Sequence, residues 1–167
     1  MLRDKNLIPL SHQHRRALIL CVGVDRAQPI AEKQLAEWQG EIDRLFQREI
    51  SNHFLAEEDI VYPAAARFPE LAGLVKELRA EHQSLRVGFA EAGLRKMSAE
   101  HLVDFGRSLS AHIRREEREL FQGLQRLLSS DELADLGSKL DVALRDAGQT
   151  CAVPVEVEHC ARVPRKV

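Results

Sequence analysis

The chain has 167 residues, 44% of them hydrophobic, 30% charged and 5% aromatic, with 24 basic and 26 acidic side chains leaving a net charge of −2. That composition fits one globular, helical domain with its own core, and the scarcity of aromatic residues and β-branched runs argues against a β-sandwich or barrel. The balanced charge gives no footprint for a nucleic-acid partner, no apolar run reaches the ~20 residues of a membrane span, and three cysteines, an odd count, make no disulfide framework and point to the cytoplasm.

In chain order, a first helix is expected after Pro9, with Ser11 as its N-cap and Gly23 as its end, followed by a loop over 24–29. A second runs from about Ile30 to Tyr62, where Pro63 and then Arg67-Phe68-Pro69 end or kink it. Pro69 suits the first position of a third helix over about 69–96, and Ser98 caps a fourth over about 99–128. Ser129 and Glu132 form a capping-box pattern that opens a shorter fifth helix ending near Gly148. The expected architecture is all-α: an up-down-up-down four-helix bundle over 1–128, an added helix over 129–148, and an extended or disordered tail over 149–167. Apolar positions on the fifth helix are compatible with a homodimer.

A short internal repeat carries the chemistry. His53-x-x-x-Glu57-Glu58-x-x-Val61-Tyr62 on the second helix lines up with His112-x-x-x-Glu116-Glu117-x-x-Leu120-Phe121 on the fourth. At ~100° per residue, His and Glu four apart share a face about 40° wide, whereas the second Glu points about 140° away from the histidine. Ile50 and Val61, and Leu109 and Ile113, bracket the two pairs at helical spacing, so both pairs lie on or beside the apolar stripe. His14, between Leu10 and Leu18, and His82, between Leu78 and Leu85, occupy the same stripe on the first and third helices.

Four imidazoles and two carboxylates inside an apolar bundle cost several kcal/mol unless something satisfies them, and a pair of metal ions does so. Two bridging glutamates and two histidines per ion leave each metal one or two open positions. The repeat symmetry puts His14 and His53 on one ion and His82 and His112 on the other. Imidazole and carboxylate donors suit iron, with manganese or zinc as alternatives. His12, His101 and His159 fall outside the pattern. Glu58 and Glu117 are expected in solvent, while Glu81 is placed to hydrogen-bond a ligand histidine.

In Leu10-Ser-x-x-His14, His53-x-x-x-Glu57-Glu58 with Tyr62-Pro63, Glu81-His82, and His112-x-x-x-Glu116-Glu117 with Leu120-Phe121, the chain resembles the hemerythrin-like (HHE cation-binding) domains over about residues 10–128. The resemblance implies a four-helix bundle around a non-haem di-iron centre, oxo- or hydroxo-bridged, with His14, His53, Glu57, His82, His112 and Glu116 as ligands. It also implies a small diatomic or peroxide ligand (O2, NO or peroxide) and a role in sensing, storage or detoxification. Arg86 stands where the oxygen carriers have a second histidine on the third helix, which favours redox or ligand chemistry over stable O2 carriage. An enzyme acting on peroxide or NO, or repairing iron centres, is the alternative, and a metal-free helical interaction module is the third reading. Cys151, His159 and Cys160 match no structural zinc pattern. Cys21, Trp38 and Tyr62 read as core residues, with the Tyr62 phenol near the metal stripe.

Overall fold

The structure, a computed structural model, describes residues 2–149 and the side chains of residues 2–145. The tail expected over 149–167, with Cys151, His159 and Cys160, lies outside the described residues except for Gln149, which closes the last helix. Among the described residues the chain is an all-α bundle. Helix α1 is Ile8–Arg26. Helix α2 joins the α-helical pieces Glu32–Leu45, Ser51–Ala56 and Tyr62–Ala66 through two wider π-turns, Phe46–Ile50 and Glu57–Val61. Helix α3 is Pro69–Gly93. Helix α4 joins Ala99–Arg115 and Phe121–Leu127 through a third π-turn, Glu116–Leu120, and α5 is Ser130–Gln149. None of these helices is long and apolar enough to cross a membrane.

Three of the expected helix starts hold. Pro69 opens α3, the Ser98 hydroxyl accepts from the His101 amide at 3.1 Å, and Ser129 and Glu132 cap each other reciprocally at the start of α5. The first start needs correction. Helix α1 begins before Ser11, because Asp4 builds a turn that receives the Asn6 and Leu7 amides, and Pro9 in the first turn has no amide left to satisfy. Ser11 lies inside the helix and donates instead to Glu117 Oε1 at 2.7 Å. Nor does Gly23 end α1. A Cβ there would stand 2.9 Å from the Trp38 ring, so this glycine lets α1 and α2 approach each other.

Pro63 does not stop α2, for a reason visible in the backbone. The preceding π-turn sends the Tyr62 amide to the Glu57 carbonyl, five residues back. Pro63 has no amide to give the next carbonyl, that of Glu58, and Arg79 Nη2 on α3 fills that place at 2.8 Å. The π-turn in α4 behaves alike: the Phe121 amide bonds the Glu116 carbonyl, and Arg3 donates to the carbonyl of Glu117 at 2.7 Å.

Helix α1 packs on α4 and α2 on α3, with α5 laid along α2. The apolar interior divides in two. Leu10, Val61, Leu78, Leu120 and Phe121 belong to one half, and Ala17, Ile50, Leu85, Leu109 and Ile113 to the other. His14 and His82 fall between the two halves along their helices. The stripe on α5 offered above for a dimer contact is covered by the bundle itself, with Leu133, Leu136 and Leu140 buried.

Gly88 lets α3 pack tightly on α4: a Cβ there would come within 2.4 Å of the Phe105 ring. Phe105 is itself buried and stacked edge-on against Phe89, so it has little room to withdraw. Gly88→Ala is therefore expected to destabilise the fold by roughly 1–3 kcal/mol through overpacking, despite the better helix propensity of alanine. Thermal unfolding should show a fall of several degrees with the helical signal retained; an unchanged or raised melting temperature would contradict the packing argument.

Candidate metal centre

Each of the four bundle helices contributes to one buried polar cluster. His14 comes from α1, His53 and Glu57 from α2, His82 from α3, and His112 and Glu116 from α4; all six are at most 2% exposed. The spacing of four residues turns each His-Glu pair to one side, and the π-turns begin at the two glutamates themselves. Two subsets have donor atoms close enough to share an ion: His14, His53, Glu57 and Glu116, and His82, His112 and Glu116.

The carboxylates stand between the histidine pairs. Glu57 Oε1 lies 3.2 Å from His53 Nε2 and 3.7 Å from His14 Nε2, while its Oε2 lies 3.5 Å from His82 Nε2. Glu116 Oε2 is 3.2 Å from His14 Nε2 and 3.3 Å from His112 Nε2, and its Oε1 is 3.8 Å from His82 Nε2. Both oxygens of Glu57, Oε2 of Glu116 and Nε2 of His112 are buried with no hydrogen-bond partner. Orphaned acceptors of this kind, concentrated at one point of a native core, fit a bound cation.

The outer nitrogen of every imidazole is engaged. His14 Nδ1 meets Glu117 at 2.8 Å, His82 Nδ1 meets Glu58 at 2.8 Å, His112 Nδ1 meets Glu81 at 2.7 Å, and His53 Nδ1 meets Gln13 Oε1 at 2.7 Å. An acceptor on Nδ1 holds the proton there and aims the Nε2 lone pair inward, the arrangement metal-ligating histidines use. Each outer carboxylate is in turn held by an arginine: Glu117 by Arg3, Glu58 by both guanidinium nitrogens of Arg86, and Glu81 by Arg115.

The role expected of Glu81 is therefore found, but the expectation that Glu58 and Glu117 are solvated is not. Their side chains, 20% and 25% exposed, are turned from their own helix's histidine, as the angle requires, and reach the histidine of the neighbouring helix. The doubled Glu-Glu in both copies of the repeat was the available signal. Gln13 had none. Tyr62 sits fully buried at the cluster and donates to Glu116 Oε1 at 2.7 Å, 3.0 Å from His82 Nε2; Phe121, its counterpart in the repeat, stacks instead on His14. Phe54 closes another wall, with its ring 3.8 Å from that of His82.

The charges of the cluster are strongly coupled. Burial disfavours protonated His14, but the facing carboxylate of Glu116 and the hydrogen bond to Glu117 outweigh it and raise its pKa to about 9. Burial likewise opposes a charged His112, and the charge of Glu116 together with the hydrogen bond to Glu81 lifts it to about 10. Burial and the charge of Glu116 push the Glu57 carboxyl up, yet the nearby imidazole of His53 holds it below its usual range. Burial works the same way on Glu116, and His112 and His14 hold it far lower. Burial and the surrounding carboxylates raise the Tyr62 phenol, which stays a hydrogen-bond donor.

Cys21, on α1, is buried and its thiol is pushed up to about 11 by that burial, so it is an inert core residue. His12 and His101 stand apart from the cluster at the surface. A family model described as the hemerythrin HHE cation-binding domain matches residues 9–124. No curated protein and no solved structure matched the chain.

Proposed function

The chain belongs to the hemerythrin HHE cation-binding family, and from that premise we propose that the buried cluster holds two iron ions and that the protein binds O2, NO or peroxide there, or responds to iron and redox state. The observation that carries the reading is the convergence of four outward-anchored imidazoles on two carboxylates with orphaned oxygens. His14 and His53 would hold one ion and His82 and His112 the other, with Glu57 and Glu116 shared between them. Iron bound there supplies Lewis-acid, redox-active positions for a small ligand.

The chain's own residues do the rest. Glu117, Gln13, Glu58 and Glu81 fix the imidazole orientations before any cation arrives. Phe54, Phe121 and Tyr62 exclude bulk water, which strengthens every charge interaction inside. The Tyr62 hydroxyl holds one oxygen of Glu116 and is the one side-chain O–H in the cluster's wall among the contacts described.

Metal analysis by mass spectrometry, on protein purified from iron-replete cells, should give close to two irons per chain. One iron or none per chain, even after anaerobic reconstitution with ferrous iron, would overturn the proposal. Steady consumption of peroxide or NO by the loaded protein would assign it to the enzymes rather than to the ligand-binding or sensing modules.

A further inference from the structure

The repeat relates α1 to α3 as well as α2 to α4. His14 follows Gln13 as His82 follows Glu81, and each preceding residue reaches the histidine of the next helix: Gln13 to His53, Glu81 to His112. At this point the symmetry breaks. Three of the four imidazoles lean on a carboxylate backed by arginine, whereas His53 leans on a neutral amide. The difference is built on both sides of the contact. Arg115, which holds Glu81, lies three residues after His112; three residues after His53 stands Ala56, 3% exposed, with no charge to offer. A carboxylate on Nδ1–H draws the proton outward and makes Nε2 a more basic donor, and an amide does so much less.

We propose that Gln13 is a positioning residue that makes the two metal positions electronically unequal, so that the ion held by His14 and His53 is the more weakly stabilised in the ferric state and the more easily reduced. The inference rests on the two-iron reading above. The His14–His53 position has one carboxylate and one amide behind it, and the His82–His112 position has two carboxylates, Glu58 and Glu81. The ion facing Gln13 is then the last to be oxidised and the first to be reduced, and a redox change confined to one ion becomes a stable, distinguishable state.

The test uses the full chain loaded anaerobically with ferrous iron, its metal content counted, and oxidised stepwise while the state with one ferric and one ferrous ion is measured by electron paramagnetic resonance. Two substitutions make the halves alike from opposite directions. Gln13→Glu gives His53 a carboxylate, and Glu81→Gln gives His112 an amide. Both are expected to bring the two one-electron steps closer, shrinking the equilibrium constant that favours the half-oxidised state by about tenfold, equivalent to about 59 mV for one electron. A residue that merely propped up the fold would not move the potentials in this paired way. Two irons per chain with steps unmoved, or moved further apart, by Gln13→Glu would overturn the inference and leave the two-iron reading standing. A chain that binds fewer than two irons would overturn that reading and the inference with it.

Discussion

Replacing Glu116 with alanine is expected to empty the His82–His112 position, while Glu57→Ala leaves three donors at each position and keeps both ions at lowered affinity. Glu116 belongs to both groups of converging donors: without it the His82–His112 group keeps two histidines while His14, His53 and Glu57 still number three, and without Glu57 each group still has three. Losing Glu116 also removes the anion that faces His14 and His112 and the acceptor of the Tyr62 hydroxyl, all of them buried. Breaking one side of such a buried charged network costs about 3–5 kcal/mol, and the variant further loses the stabilisation that the lost ion gives the native fold, about 4 kcal/mol at a thousandfold excess over Kd. Metal content of one for Glu116→Ala and two, more weakly held, for Glu57→Ala, with the larger drop in melting temperature in the former, is the expected pattern. The structural arm is separated by repeating the melts on chelator-treated protein, where Glu116→Ala should still be the less stable. Two ions retained in Glu116→Ala would contradict the site.

Metal affinity is expected to rise steeply with pH. With pKa values of about 9 and about 10, His14 and His112 are protonated at neutral pH in the metal-free protein, and their Nε2 lone pairs become available only when those protons leave. Loading both positions therefore releases two protons, one per ion, and the affinity for each ion should climb about tenfold per pH unit, about 100-fold for the pair, while both histidines remain protonated. Chelator competition at several pH values, with calorimetry in buffers of different ionisation enthalpy, checks the slope and the proton count; a flat profile from pH 6 to 8 would refute it.

The stability of the metal-free chain runs the other way. Histidines whose pKa is raised by folding contribute fully below about 6.5, their unfolded value, and that contribution is lost as pH rises through about 9 to 10. Glu57 and Glu116, held below their usual range, contribute above about 4.5 and lose that contribution as pH falls through their depressed values. The metal-free fold should thus melt highest between about pH 4.5 and 6.5 and weaken toward pH 10, where metal binds best.

Much of this arrangement was legible in the residues. Helical spacing placed the four histidines and the two glutamates on the inner stripes, and breakers such as Pro69, Ser98 and Ser129 marked the helix starts, because caps and missing amides are local matters. Ser11 and Pro63 misled for a related reason. A serine can cap a helix, but here Asp4 supplied the turn first and the hydroxyl was free to reach Glu117. A proline ends a helix unless the backbone has already shifted to five-residue spacing and a distant arginine takes the stranded carbonyl, as Arg79 does.

By itself the sequence determined the all-α class, the inward face of each helix and the six residues that meet, because the 3.6-residue period fixes which side chains share a stripe. Only the tertiary structure decided what holds those residues from outside. Glu58, Glu117 and Gln13 point away from the stripe of their own helix, and a period read along one helix carries no information about what lies across the groove. It took the packing of α1 against α4 and of α2 against α3 to turn two side chains read as solvated into hydrogen-bond partners of buried histidines, and that of α1 against α2 to leave one imidazole, that of His53, on an amide.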